Sequence, residues 1–124
     1  GRLPAADLIS AYERGPADLR AAVAGLTGDE LRSRPVPGRW STLEVVCHVA
    51  DCEQFFADRL KRTLAMDRPL LVGADGGRYP GPVRYHERDL AEELDLVALT
   101  RRQMARILRL APAEAWGRTA VHTE

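Results

Sequence analysis

The sequence contains 124 residues, of which 45% are hydrophobic and 29% charged, and its 18 Lys and Arg residues balance 18 Asp and Glu residues. This length and composition predict one folded domain over residues 1–124 and exclude an intrinsically disordered chain. The balanced charge indicates neither a nucleic-acid partner nor an anionic membrane surface, and no apolar run reaches the roughly 18 residues of a membrane-spanning helix.

The first predicted element is a helix over residues 5–26. Its apolar residues recur near helical spacing, but Gly15-Pro16 interrupts the pattern. Because proline lacks a backbone donor and collides with the preceding turn, we expect a kink or break at this point. Thr27 and Glu30 then have the spacing of a capping box, which predicts a short helical turn.

The second long helix has the clearest start signal. Ser41 and Glu44 form another capping box, and the segment from residue 45 to 66 contains neither glycine nor proline. Trp40 precedes the cap and is expected to pack over the first turn. Cys47 and Cys52 lie on this helix at a spacing that excludes a disulfide between them. Free thiols indicate a reducing compartment, in the simplest case the cytoplasm.

A segment rich in glycine and proline, residues 67–83, separates this helix from the next. It is long enough to return over the bundle, so we expect a third long helix, residues 87–110, that runs parallel to the second. No segment alternates polar and apolar residues over the length of a typical strand, which favours an all-α class. The apolar faces are broader than two neighbours cover, and both chain ends look incomplete, so we expect a fourth helix to be absent or incomplete.

Residues that bear chemistry concentrate on the second long helix. Glu44, His48, Asp51 and Cys52 follow helical spacing and predict one polar ridge. Imidazole, carboxylate and thiolate groups all bind divalent metals, and metal sites in helical bundles use this spacing. The structural alternative stays open at this point, with Glu44 as a cap, Asp51 paired with an arginine and His48 as a hydrogen-bonded packing residue.

Two other arrangements of these groups are open. A metal site of His48, His86 and His122 requires three distant segments to converge, and His86 is equally explained as a helix-boundary or pH-sensitive hydrogen-bonding residue. A nucleophilic Cys47 or Cys52 requires an activating cation, and the sequence places none beside either residue. Buried, inert thiols are therefore expected.

The segment from Pro37 to Glu53, PGRWSTLEVVCHVADCE, resembles the signature pGkWS-x-x-E-x-x-x-H-x-x-D-x-E of the DinB/YfiT-like superfamily. The glycine-rich crossover and the run Tyr85-His86-Glu87-Arg88-Asp89-Leu90 extend the resemblance. It implies an up-down-down-up helical bundle with a long crossover between helices 2 and 3. It also implies a divalent metal, nickel or zinc, held by three histidines. His48 matches the first of these, and the other two belong to the last helix of the family, which this chain is expected to lack.

The resemblance implies a metal-dependent hydrolase or an S-transferase that uses a low-molecular-weight thiol, acting on a small molecule. A metal-bound water or thiol is a nucleophile at neutral pH, and Asp51 or Glu53 is expected to orient His48 or carry a proton. The alternative is a non-enzymatic, stress-associated binding module without a functional metal site, and the metal is expected to be weakly bound or absent in this chain alone. An apolar groove left open by the missing helix predicts a homodimer.

Overall fold

The computed structural model describes residues 5–72, 76–112, 114–115 and 121–123. Its elements are α1 (Ala5–Val23), α2 (Gly28–Arg32), α3 (Thr42–Ala65), β1 (Leu70–Val72), α4 (Leu90–Leu110) and β2 (Val121–Thr123). Two 3₁₀ turns, Gly76–Arg78 and Tyr85–Glu87, lie in the crossover between β1 and α4. The predicted helical class is confirmed, and none of the described helices is long and apolar enough to cross a membrane.

Both predicted capping boxes are present. Thr27 Oγ1 accepts a hydrogen bond from the Glu30 amide at 3.1 Å, and Glu30 Oε1 accepts one from the Thr27 amide at 3.0 Å. Ser41 and Glu44 repeat the exchange at 3.1 and 2.9 Å. Each box satisfies two amides that have no partner inside the helix, so α2 and α3 begin directly after Thr27 and Ser41.

The side chains between α3 and α4 show that these two helices run parallel. Val46 packs against Leu94 near the start of both helices, and Glu53 pairs with Arg101 one to two turns further along each. Residue numbers therefore rise together in both helices. The expected parallel arrangement is confirmed, and the crossover spans the length of the bundle.

α1 runs antiparallel to α4. Arg20, near the end of α1, pairs with Asp95 near the start of α4, whereas Glu13 pairs with Arg109 in the last turn of α4. α4 packs against both α1 and α3, and those two have little direct contact with each other. The three long helices therefore have the up-down-down order that the sequence resemblance implies.

Two apolar clusters hold these layers together. The first joins α2, α3 and the crossover through Leu31, Leu43, Cys47 and Tyr85, and the second joins α1, α3 and α4 through Val23, Val46 and Leu94. Fully burying side chains of this size stabilises a fold by about 1.5–3 kcal/mol each. Tyr85, which has no exposed surface, fixes the end of the crossover against the first turns of α3.

A short parallel ladder adds to the helical bundle. β1 and β2 pair over three residues, with Leu70 opposite Val121 and Val72 opposite Thr123. Three residues are too few for polar and apolar alternation to predict a strand, which explains why the sequence gives no signal for this pairing. The ladder joins the segment after α3 to a segment far along the chain.

α1 continues through Gly15-Pro16, where we expected a kink or break. Pro16 has no amide proton for the carbonyl of Tyr12, and Arg101 Nη1 donates to that carbonyl at 2.9 Å instead. A Cβ atom at Gly15 would collide with the same Nη1, so glycine makes room for the guanidinium. α4 thus supplies the hydrogen bond that proline removes, and the helix does not break.

Gly15→Ala is therefore expected to destabilise the protein, although alanine has a helix propensity about 1 kcal/mol better than glycine. The guanidinium cannot retreat, because Nε and Nη2 of Arg101 both lie within 2.6 Å of Glu53 Oε1. We expect urea unfolding to show a loss of about 1–3 kcal/mol. In an Arg101→Ala background the same substitution should lose its penalty, and equal losses in both backgrounds would contradict this account.

Candidate functional site

His48 lies on the second turn of α3 and is half-buried. Cys52 Sγ, one turn further on, is 3.5 Å from Nε2 and 3.9 Å from Nδ1 of the imidazole. The indole of Trp40 stands edge-on to the ring, with centroids 5.0 Å apart. Among the described residues the ring nitrogens have no other hydrogen-bond partner. Because a thiol is a weak donor and acceptor, His48 keeps a nitrogen lone pair for a ligand.

Trp40 was expected to pack over the first turn of α3. Its ring instead meets His48 and, at a centroid distance of 6.4 Å, Tyr85. Both contacts are edge-on, the arrangement that aromatic pairs favour. Trp40 keeps 37% of its surface exposed. The indole therefore forms a fixed wall beside His48.

His86, in contrast, forms polar contacts with residues at the start of α3. Its Nε2 lies 2.8 Å from Ser41 Oγ and 3.4 Å from Glu44 Oε1. The three residue types are those of a hydrolytic triad, but here the carboxylate and the hydroxyl meet the same ring nitrogen. Ser41 is 1% exposed and its Oγ already accepts the Glu44 amide. This cluster joins the crossover to α3 and presents no accessible nucleophile.

Glu44 accepts three hydrogen bonds through its carboxylate and is 2% exposed. Arg34 donates from Nε and Nη2 to the two carboxylate oxygens at 2.8 and 2.7 Å, and the Ser41 amide donates at 2.9 Å. The hydrogen bonds from Arg34 are the main reason that the pKa of Glu44 falls to about 2. The predicted capping role is confirmed, and the carboxylate is already paired with Arg34.

Asp51 also pairs with an arginine. Its Oδ1 accepts from Arg88 Nη1 at 2.8 Å, and the same nitrogen lies 3.5 Å from Glu93 Oε2. Asp51 Oδ2 and the Tyr85 hydroxyl are buried and make no hydrogen bond within the part of the chain that the structure describes. Burial, followed by the interaction with Asp51, raises the pKa of Tyr85, and burial also raises the pKa of Glu93. This cluster fixes the crossover and α4 to α3.

Glu53 belongs to a second ion-pair network and is 7% exposed. Its Oε2 accepts from the Tyr12 hydroxyl at 3.0 Å, and its Oε1 accepts from Arg101 Nε at 2.6 Å. Burial and the neighbouring carboxylate raise the pKa of Tyr12. No hydrogen bond or ion pair joins His48 to Glu53 or to Asp51 among the described side chains. That either carboxylate orients His48 or carries a proton therefore stays a prediction.

The two cysteines are free thiols. Cys47 has no exposed surface, and burial raises its pKa to about 11. Burial also raises the pKa of Cys52, which is half-buried beside His48. Because only a thiolate is strongly nucleophilic, neither residue is set up as a nucleophile at neutral pH, as expected from the sequence.

The expected four-residue ridge divides into two parts. Glu44 and Asp51 pair with arginines, whereas His48 and Cys52 contact each other. No group of three His, Cys, Asp or Glu side chains within the described ranges has the geometry to hold a metal. The side chain of His122 lies outside the described residues, so the three-histidine alternative stays a prediction. The His48 nitrogen and the Cys52 sulfur fit a metal ion. These are two ligands, and a catalytic zinc site has three protein ligands.

Known proteins share this arrangement of helices. The sequence model of the DinB superfamily matches residues 11–124. A protein of Geobacillus thermodenitrificans (strain NG80-2) named "Putative metal-dependent hydrolase" is 38% identical over 63 residues, which are 51% of this chain and 35% of that relative. YfiT from Bacillus subtilis, described as "a probable metal-dependent hydrolase with an unusual four-helix bundle topology", superposes with a TM-score of 0.88 at 23% identity, over 98% of this chain and 71% of YfiT. The aligned region thus covers about a third of the curated relative, and the match to YfiT shows the fold.

Proposed function

Because the chain belongs to the DinB superfamily, we propose that it is the helical part of a metal-dependent hydrolase of a small molecule, with His48 as one metal ligand. The observation that carries this proposal is the difference in hydrogen bonding between the two described imidazoles. His86 contacts Ser41 and Glu44 through its Nε2. Among the described residues, His48 contacts the Cys52 thiol and the indole of Trp40. A histidine without a structural hydrogen bond is a candidate ligand. The names of the Geobacillus protein and of YfiT support the same activity.

The donors favour a transition metal. Imidazole and thiolate suit zinc and nickel, whereas magnesium and calcium prefer oxygen ligands. A divalent ion, when bound, lowers the pKa of a coordinated water and so supplies a nucleophile at neutral pH. His48 would hold the ion, and Trp40 shields one side of the site from water. The remaining ligands of a complete site are to be sought outside the described residues.

Asp51 and Glu53 receive different roles in this proposal. Glu53 is saturated by Tyr12 and Arg101 and holds α4 against α3. Asp51 keeps Oδ2 without a hydrogen bond among the described residues and lies one turn from His48. Of the two carboxylates, Asp51 is therefore the better candidate to carry a proton.

Elemental analysis of the full-length protein, purified without chelator, tests the proposal. Stoichiometric zinc or nickel, and hydrolysis of model esters or amides that chelation abolishes and metal restores, is the expected result. Turnover only after addition of a low-molecular-weight thiol would assign the S-transferase activity instead. Absence of both metal and turnover would leave the non-enzymatic binding module as the better account.

We also infer that the protein works in a reducing compartment, the cytoplasm, and as a homodimer. The compartment is supported by the two free thiols. The dimer is supported by an apolar stripe on one side of α3, where Val45, Phe56 and Leu60 are 45%, 52% and 37% exposed. A second copy of this chain buries the stripe if the two copies pack α3 against α3 about a two-fold axis.

Phe56→Arg is expected to weaken this dimer by about tenfold or more, because it places a charge at the centre of an apolar interface. Sedimentation at tens of micromolar should show a dimer for the wild type and a monomer for the variant. Leu99→Arg is the matched control, since Leu99 is 59% exposed on α4 and lies outside the stripe. A monomeric wild type, or an equal effect of both variants, would exclude the dimer through α3.

A further inference from the structure

An open cavity of about 330 Å³ lies next to Trp40, at the amino-terminal end of α3. Its size lies within the range of small-molecule sites. The charged residues among its described lining are three arginines, Arg34, Arg39 and Arg78, and the carboxylate of Glu44. Arg34 and Arg39 lie in the loop between α2 and α3 and Arg78 lies in the crossover, so the fold brings two segments of the chain together. The described lining carries an excess of positive charge although the whole sequence has none.

Arg34 is held in position for a ligand. Its Nε and Nη2 bind the buried Glu44 carboxylate, which neutralises Glu44 and fixes the guanidinium plane. The third nitrogen, Nη1, makes no hydrogen bond within the described residues, and half of the side chain is exposed. A guanidinium fixed in this way keeps donors free and loses little conformational entropy when an oxyanion binds.

Arg39 supplies a second cation at the same cavity. It is exposed, and neither an ion pair nor a hydrogen bond of its side chain is found among the residues that the structure describes. Lone exposed arginines are common, but this one shares a concave surface with the fixed Arg34. The planar donor fork of a guanidinium matches a carboxylate or phosphate group, and two guanidinium-bearing side chains line this cavity.

Trp40 connects this cavity to His48. The same indole lines the cavity and meets the imidazole edge-on at 5.0 Å. A molecule whose oxyanion lies between the arginines therefore has an aromatic wall along its body, and the ring that forms this wall also contacts the candidate metal ligand His48. An aromatic surface of this kind favours a ligand with a planar or apolar body over a free inorganic ion.

We propose that the cavity, formed by Arg34, Arg39, Arg78 and Trp40, binds the oxyanion of a small organic acid and directs the rest of the molecule towards His48. As the substrate class of the hydrolase, this inference rests on the proposed function. The inference that the cavity binds an anion does not depend on the proposed function and rests only on the residues that line the cavity. The ligand chemistry is a carboxylate or phosphate group on an apolar body.

Isothermal titration calorimetry on the full-length protein, freed of metal by chelator and kept at constant ionic strength, tests the site. The probes are benzoate, phenyl phosphate, inorganic phosphate and, as the neutral analogue, benzamide. We expect saturable binding of benzoate or phenyl phosphate, weaker binding of inorganic phosphate and none of benzamide. Whichever of the first two binds more tightly identifies the oxyanion. Equal binding of benzamide, or binding of no anion, would overturn the proposal.

Arg39→Gln separates the site from general charge effects. Loss of one charge-assisted contact should weaken anion binding by about tenfold. The control is Arg102→Gln, which removes an exposed arginine from α4, an element that contributes nothing to the described lining. The proposal fails if both variants weaken binding equally or if neither does.

Metal content of the Arg39→Gln protein, measured on a sample purified without chelator, should equal that of the wild type. Failure of the anion site and failure of the metal site are thereby distinguishable. A protein that holds metal but binds no anion would support the proposed function and contradict the proposed substrate class. A protein that binds the anion but holds no metal would support the anion site and contradict the proposed hydrolase activity.

Discussion

Replacing His48 with alanine is expected to remove the bound metal and the hydrolytic activity together while the fold stays intact. The imidazole makes no structural hydrogen bond beyond the weak contact with Cys52, so its loss leaves no strong donor or acceptor unpaired. Without one of its ligands a catalytic ion binds poorly, and we expect turnover to fall by at least about 100-fold. Elemental analysis, turnover and circular dichroism measure the three effects.

His86→Ala is the matched control for this experiment. It removes the other described imidazole, which binds Ser41 Oγ at 2.8 Å, and so should lower stability while metal content remains unchanged. If His48→Ala retained the metal, or if both variants lost it, His48 would not be the specific ligand.

Replacing Glu44 with glutamine is expected to produce the largest loss of stability of the changes considered. The carboxylate is buried and accepts from Arg34 and the Ser41 amide, and an amide group cannot accept all of these bonds. A pKa of about 2, against an ordinary value of 4.5, corresponds to at most about 3 kcal/mol of stabilisation, and solvent screening at the exposed Arg34 lowers this figure. Urea unfolding near neutral pH should show a loss of this size. Glu30→Gln is the matched control, since Glu30 occupies the same capping position on α2 but is exposed, and its effect should be much smaller.

The same substitution should change the acid limb of the stability curve. Because the pKa of Glu44 is lower in the folded state than in the unfolded state, its contribution is fully present above about pH 4.5 and is lost as the pH falls towards 2. Unfolding of Glu44→Gln should depend less on pH across this window than unfolding of the wild type. Parallel curves would show that another carboxylate dominates the acid response.

Local signals in the sequence predicted most of the helical frame. Ser41 and Glu44 define the start of α3 by their spacing alone, because a capping box depends on residues three apart. The long crossover likewise indicated parallel helices, since only a segment of that length spans a bundle. His48 was singled out by the family signature rather than by its spacing, which it shares with the structural residues Glu44 and Asp51.

The partners of these carboxylates were beyond sequence reasoning. Arg34 reaches Glu44 from a loop ten residues away, and Arg88 reaches Asp51 across 37 residues. Nothing in the composition around either arginine distinguishes it from the many exposed ones. The arginine cluster beside Trp40 was missed for the same reason, because tertiary contacts alone bring its segments together. The kink or break expected at Pro16 is absent for a related reason, because Arg101 on another helix donates to the carbonyl that proline leaves without a donor.

Arg101 has a consequence for how the molecule opens. One guanidinium on α4 binds the Tyr12 carbonyl on α1 and the Glu53 carboxylate on α3, and the Tyr12 hydroxyl binds the same carboxylate. α1 cannot detach locally without leaving the Tyr12 carbonyl unpaired and removing the Tyr12 hydroxyl from the buried Glu53 carboxylate, which then keeps only Arg101. Partial opening therefore costs nearly as much as complete unfolding, and the backbone amides of α1 around Pro16 should exchange with solvent as slowly as those at the centre of α3.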